Sequence, residues 1–417
     1  MRAALRSRSI RTFLATQFLL EVQFWFPIWL IYLIDLGFSL TTAVLADAVF
    51  RIVSVLCEFP VGMAADLLGR RRTYLALAGG SVLTFALISQ IRSVQMLFAA
   101  WVLWGVLWAL TSGAASTYLY ELCSRDHRPV DPSKAFGLMR AAGSVSVLLS
   151  LLAAGYVYEA DPRLPFAVTA ALAAAAFLLA LTLPETAGPR PVGRLSSMWG
   201  GVRGALADSR VRRAVWLGVL LLLFGWSARI LFQPLALELN LSAEVTGWMY
   251  AAFAAAAVLG GLAAGHVGVR RRRAGLALAF LLVLGALVAL SQAPRLGPFV
   301  FLPVMGFGYA LGTTLLEVLT NEVSPRPVRA MIFGVVACLA GLGIALARPA
   351  LGVLATDHST AFAAGVWSGC GAVVVALALW LARGLPRAPE GGASPAGPIV
   401  PSSRTPGMPA SRRARRR

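Results

Sequence analysis

Apolar residues run through this chain in long blocks, and short clusters of Arg, Gly and Pro separate them. An apolar run of about eighteen residues or more, with few charges, is long enough to cross a bilayer as a helix. The pattern predicts helices at about 12–34, 42–65, 74–91, 96–119, 136–157, 165–183, 212–237, 245–267, 274–292, 298–320, 330–354 and 361–382. The fold class is therefore an all-α polytopic membrane protein of twelve transmembrane helices, with both termini on one side. Residues 1–11 precede the first helix, and its apolar run is too long for a cleaved signal peptide. Residues 184–211 are rich in Pro, Gly and Arg and read as a linker between six-helix halves at 12–183 and 212–383. Within the linker, Leu195 to Ala207 reads as a short surface helix. Residues 384–417 form a Pro-, Gly-, Ser- and Arg-rich tail whose composition predicts disorder.

Charge orients these spans. One set of connections holds the N-terminal arginines, Arg70 to Arg72, the linker arginines, Arg270 to Arg273 and the arginines of the tail. The alternate set holds Arg92, Arg163 and Arg295. Basic residues gather on the cytoplasmic side of a membrane protein. The expectation is a multi-pass protein of the cytoplasmic membrane with cytoplasmic termini.

Composition agrees: 58% of residues are hydrophobic and 13% charged, where a soluble domain carries about 25% charged residues. The formal net charge of +19 lies in short clusters between apolar runs. That pattern fits a lipid bilayer as partner and argues against nucleic acid. The four cysteines have no metal-ligand spacing, so no metal, cofactor or disulfide framework is expected. Patterns for zinc hydrolysis, a serine nucleophile elbow or a phosphate-cradling loop are absent. The sequence does not read as an enzyme, and no nucleotide domain is there to drive an ATP pump.

The halves repeat. Gly62, Gly69 and Arg71 mark the end of the second helix of the first half, and Gly261, Gly268 and Arg270 or Arg271 mark the end of the second helix of the other. Phe136-Gly137 likewise echoes Phe333-Gly334. Repeated halves with a binding site between them are a common transporter plan.

The segment Gly62-x-x-x-Asp66-x-x-Gly69-Arg70-Arg71 resembles the loop signature of the major facilitator superfamily. Its lead-in, Glu58-Phe59-Pro60-Val61-Gly62, is similar to that of a large bacterial branch, and Pro184-Glu185-Thr186 resembles the usual exit from the sixth helix. The resemblance covers roughly residues 10–383. It implies the major facilitator fold, alternating access, and a latch in which Asp66 sits near Met331. It also implies that the first, fourth, seventh and tenth helices line a central cavity. On those helices Gln17, Glu21, Trp25 and Tyr32 share a face, as do Trp101, Trp104, Trp108 and Ser112. So do Trp226, Arg229 and Gln233, and Met305, Tyr309 and Thr313. An aromatic cavity with few polar groups suits a bulky amphipathic solute.

Ionisable residues inside a bilayer are costly and point to function. Glu21, Asp47, Arg51, Glu58, Arg140, Arg229, Glu317 and Arg348 fall inside apolar runs. Asp47, Arg51, Ser54 and Glu58 form one stripe of the second helix. Two arrangements remain open there. Asp47 can pair locally with Arg51, or it can reach Arg348 across the halves as an outer gate. Glu21 lies near mid-membrane and is a candidate for carrying the coupling proton or a substrate charge, with Glu58 and Glu317 as substitutes. The reading is a monomeric secondary active transporter of a small organic solute, proton-coupled, exporting a hydrophobic or drug-like compound. The alternative is a metabolite or nutrient importer of the same fold. A membrane receptor or enzyme is the rival from another class.

Overall fold

A computed structural model describes residues 7–111, 114–125, 132–186, 195–325 and 328–384. The first half comprises α1 (Arg8–Leu20), α2 (Trp29–Asp35), α3 (Leu40–Leu68), α4 (Arg70–Ser89), α5 (Val94–Thr111), α6 (Ala114–Arg125), α7 (Pro132–Ala160) and α8 (Leu164–Leu181). A connecting helix α9 (Leu195–Ala207) precedes the second half. That half comprises α10 (Ser209–Ala228), a single 3-10 turn at Arg229–Leu231, α11 (Phe232–Glu238), α12 (Ala243–Gly265), α13 (Arg272–Gln292), α14 (Leu302–Val323), α15 (Arg329–Asp357) and α16 (Thr360–Arg383). Among the described residues, 11 helical segments are long and apolar enough to cross a membrane. The first span is the twelfth, and it fails that length because it is broken.

The break corrects the continuous helix expected at 12–34. Residues Glu21 to Ile28 leave the helix between α1 and α2. Pro27 explains it: proline has no N–H to give the preceding turn, and it biases the residue before it away from helix. The expected tail at 384–417 lies almost wholly outside the described residues.

The connections fall at two ends of the bundle. One end carries the arginine clusters; the other, the distal end, carries the turns at Leu36–Ser39, Leu239–Ser242 and His358–Ser359. In those distal turns Ser39, Ser242 and Ser359 each accept a backbone N–H of the following helix, from Thr42, Val245 and Phe362. Serine caps of this kind satisfy donors that a helix start leaves open. At the arginine-rich end, α3 turns into α4 through Gly69 alone, with φ 87°. Only glycine adopts that conformation without strain. Gly268, its counterpart in the other half, has φ −60°, so the repeat in sequence is not a repeat in backbone.

The hydrophobic core has a polarity that matters for function. At the distal end one continuous cluster joins both halves, from Trp25, Phe50 and Leu151 to Phe232, Tyr250 and Leu351. At the arginine-rich end the halves keep separate cores, one around Phe13, Tyr74 and Tyr118, the other around Leu217, Phe280 and Leu315. Glycines record the same asymmetry. A Cβ on Gly352 of α15 would lie 2.9 Å from Val44 of α3, and one on Gly155 of α7 would lie 2.2 Å from the Glu244 backbone of α12. A Cβ on Gly62 or Gly334, on the same α3 and α15 toward the arginine-rich end, would meet nothing within 4 Å. The halves therefore touch at the distal end and part toward the other.

Candidate functional site: a cavity between the two halves

The site is built where the first span of each half departs from regular α-helix. Pro27 interrupts the first, while the seventh stays helical and tightens into one 3-10 turn at Arg229–Leu231, ahead of Pro234. A break exposes backbone groups inside the membrane, and each must find a partner. Gln233 supplies them across the halves. Its Oε1 accepts the N–H groups of Leu30 and Ile31 at 2.8 and 3.3 Å, at the start of α2. Its Nε2 donates to the Phe26 carbonyl and to the Tyr250 hydroxyl, both at 3.2 Å. Gln233 is 2% exposed. Ser146 of α7 donates to the Phe18 carbonyl at the other lip of the first break, at 2.7 Å.

Beside this junction Arg348 donates to Asp47 through Nη1 at 2.6 Å and to the Trp226 carbonyl through Nη2 at 3.2 Å. Both charged residues are buried. Asp47 is thus paired with α15 and not with Arg51 one turn along. Arg51 lies over aromatic rings instead, 5.2 Å from Phe50, 5.8 Å from Trp108 and 5.3 Å from Trp226. Arg229 stacks over Trp226 at 4.2 Å, Phe26 at 4.9 Å and Phe253 at 5.1 Å. Such cation–π contacts are worth about 0.5–2 kcal/mol each. Together Arg51, Arg229 and Arg348 converge on the Trp226 ring.

Three spaces adjoin this cluster. A recess of ≈ 50 Å³ is lined by Asp47, Arg51, Arg229, Gln233 and Arg348 together with aromatic rings. A cavity of ≈ 410 Å³ lies between the halves and includes Trp226, Arg229, Tyr250, Phe253, Tyr309 and Thr313 in its wall. A third, of ≈ 380 Å³, lies within the first half and is lined by Gln17, Glu21, Trp104 and Ser116 among others. Gln23, Trp25 and Trp108 belong to the walls of both larger cavities and separate them. In the first-half cavity Tyr74 donates to Gln17 Oε1 at 2.7 Å, and Gln17 Nε2 donates to Glu21 Oε1 at 2.7 Å. A Cβ on Gly143 of α7 would come within 3.5 Å of the Glu21 side chain, so the glycine leaves room for it.

Several expected cavity residues are placed elsewhere. Tyr32 is fully buried in the first half, donates to the Ile88 and Ser89 carbonyls at 3.1 and 3.3 Å, and packs on Phe166. The helix break rotates it off the face of Gln17 and Glu21. Trp101 is buried between Trp29 and Trp104, and Met305 is buried in the shared core. Glu58 is half-buried and Glu317 and Arg140 are exposed; none of the three lines a cavity described above. Ser112 lies outside the described residues, as does the side chain of Asp66. Around that loop Arg70 pairs with Glu121 at 3.5 Å and Arg71 donates to the Leu181 carbonyl at 2.6 Å. Sequence reasoning missed Phe26, Tyr250 and Phe253. The signal was the pair of prolines, because prolines at corresponding positions of two halves point to a transporter's binding site.

The family model of the Major Facilitator Superfamily matches residues 13–235 and again 215–416. Over 140 residues the chain is 26% identical to the uncharacterized MFS-type transporter YxaM of Bacillus subtilis (strain 168). That match spans 34% of this chain and 34% of the relative, about a third of each. The structure is similar to that of the nucleoside transporter NupG, with TM-score 0.70 and 16% identity, covering 91% of this chain and 99% of that one. It is also similar to a bacterial homologue of the human lysosomal transporter Spinster, in an inward-facing and unoccupied conformation. There the TM-score is 0.73 at 14% identity, with 90% of this chain and 98% of the other covered. With two family matches, two helical halves and a cavity between them, this multi-pass integral membrane protein belongs to the Major Facilitator Superfamily, a family of transporters and not of enzymes.

Proposed function

We propose that this chain is a proton-coupled secondary transporter that exports a small, largely hydrophobic organic solute from the cytoplasm by alternating access. The observation that carries the reading is the asymmetry of contact between the halves: a shared core at the distal end, separate cores at the arginine-rich end, and a ≈ 410 Å³ cavity between. Basic loops favour the cytoplasmic face, so this is the state that receives solute from the cytoplasm of a bacterial cell. Both large cavities are formed by one chain, and the working unit is the monomer.

Glu21 is the proposed proton carrier. It is held by the neutral amide of Gln17 and has no cationic partner among the described residues. Gaining or losing a proton therefore changes local charge without breaking an ion pair. Trp25 and Trp108 separate it from the solute cavity, so proton and solute have distinct places.

The test compares wild type with Glu21→Gln in proteoliposomes, under an imposed pH gradient and in gradient-free counterflow. Loss of gradient drive with counterflow kept is the expected result. Gradient-driven transport at the wild-type rate removes Glu21 from coupling. Absence of counterflow in the wild type, over a broad solute panel, removes the transporter reading.

A further inference from the structure

The charge of the central recess points to the class of solute. Three guanidinium groups and one carboxylate line it, and that carboxylate, Asp47, is already held by Arg348. Among the described residues neither Arg51 nor Arg229 makes a hydrogen bond or an ion pair; aromatic rings lie against both, and Asp47, one turn from Arg51, is the acid whose charge reaches it. Like charges gathered in a confined site repel, and a half-buried cation without an ion-pair partner carries a desolvation cost that is only partly offset. The unmet polar groups tell the same story. The Nε–H groups of Arg51, Arg229 and Arg348 and the Nε1–H of Trp226 are buried without an acceptor; arginines elsewhere share this, but here three of them lie around one indole. All four are donors. A neutral ligand offers them one or two acceptors, a cation none, and a carboxylate or phosphate several, in the planar geometry that suits guanidinium.

We propose that the solute is an organic anion with an aromatic or otherwise bulky apolar body, bound head-first. This rests on the transporter reading above. Arg229 and Arg51 hold the anionic head in the recess. An engineered cavity of about 150 Å³ takes a benzene ring, so the ≈ 50 Å³ recess takes a head group and not a ring. Arg229 also lines the ≈ 410 Å³ cavity, whose remaining wall includes Phe253, Tyr309 and Thr313. That space receives the body. The head sits at the junction of α3, α10 and α15, beside the Asp47–Arg348 pair that joins the halves.

The experiment uses the purified full-length protein with one aromatic body in three charge states: 1-naphthoate, 1-naphthamide and 1-naphthylmethylammonium. A matching indole series and two heads without a body, acetate and chloride, complete the panel. Binding is read in detergent by thermal stabilisation, and transport by counterflow in proteoliposomes. The expected result is stabilisation by the aromatic anions, far weaker effects of acetate and chloride, and none from the amides or amines. Arg229→Gln weakens anion binding by about ten- to a hundredfold, the loss of a charge-assisted hydrogen bond. Arg229→Lys, which keeps the charge without the planar fork, recovers part of it. If Arg229→Gln does not fold, Arg51→Gln carries the same comparison. Binding of amides or amines as tight as that of the acids overturns the proposal, as does a panel in which no aromatic anion binds. Chloride or acetate matching the aromatic acids overturns its organic part. Anion binding without counterflow leaves the proposal standing and sinks the transporter reading. Counterflow of neutral or cationic solutes alone does the reverse.

Discussion

At the scale of single residues, an ion pair and an uncharged amide join the halves toward the distal end by different chemistry. Asp47 and Arg348 are each 7% exposed and meet at 2.6 Å. Removing one member of a buried pair leaves the other charge uncompensated, at about 3–5 kcal/mol. Asp47→Asn should therefore destabilise the distal contact, and the double change Asp47→Arg with Arg348→Asp should restore part of it. A cysteine replacing Val44, placed in a background lacking the four native cysteines, reports on this. It should react faster with an impermeant thiol reagent in Asp47→Asn and slow again in the swap; equal rates in all three would mean that the pair does not hold the end closed. Gln233 acts without charge. Gln233→Leu leaves the Leu30 and Ile31 N–H groups and the Phe26 carbonyl unmet in a buried place, at about 1–3 kcal/mol for each group. The expected outcome is a lower melting temperature and α2 amides that exchange with solvent faster than in wild type. Unchanged exchange across α2 would show that the capping bonds are dispensable. Asp47 and Arg348 were legible as partners in sequence because topology puts both in the distal part of the bundle. Gln233 was legible only as a polar residue on a cavity face, since no sequence rule pairs a side chain with backbone some two hundred positions away.

Elements show what periodicity can and cannot deliver. Apolar length alone locates α3, α7, α12 and α15 to within a few residues, and the Leu195–Ala207 helix is legible after the Pro- and Gly-rich stretch that precedes it. The first span reads as continuous in sequence because apolar residues run on through Pro27, and hydropathy outweighs the one residue that breaks the helix. Faces counted along an unbroken helix therefore misplace Tyr32. The pairing of α7 with α12 was not legible at all, for it rests on close backbone approach at Gly155 and Gly247. A Cβ on Gly155 would lie 2.2 Å from Glu244 Cα, and one on Gly247 would lie 2.6 Å from the Leu151 carbonyl oxygen. Backbone cannot give way as a flexible side chain can. Gly155→Val should wedge α7 from α12 and shift the population toward a distal-open form. Spin labels on the Asp161–Arg163 and Leu239–Ser242 turns would read this as a longer inter-label distance. A distance distribution identical to wild type would mean that the helices adjust without opening.

For the whole molecule, the same two helices join the halves at one end and diverge at the other. Along α3 and α15, Val44 faces Gly352 and Val55 faces Gly341, where Cβ atoms would come within 2.9 and 2.7 Å of the partner side chains. Continued toward the arginine-rich end, that antiparallel register sets Gly62 against Gly334, yet both are open. If the halves rock about the central site, the second pair must close as the first opens. Charge pattern gives the sequence its expectation of which end faces the cytoplasm; which end is closed is not legible, because one sequence encodes both states and the balance between them is a small free-energy difference. The prediction pairs two cross-links in the cysteine-free background. Val44→Cys with Gly352→Cys should form a disulfide in the solute-free protein, abolish counterflow, and release it on reduction. Gly62→Cys with Gly334→Cys should cross-link poorly at first. Its yield should rise when Gly155→Val, which favours the distal-open form, is added. A high yield from both pairs in the solute-free protein would contradict a state closed at one end only. A Gly62–Gly334 yield that ignores Gly155→Val would show that the two ends are not mechanically coupled through α3 and α15.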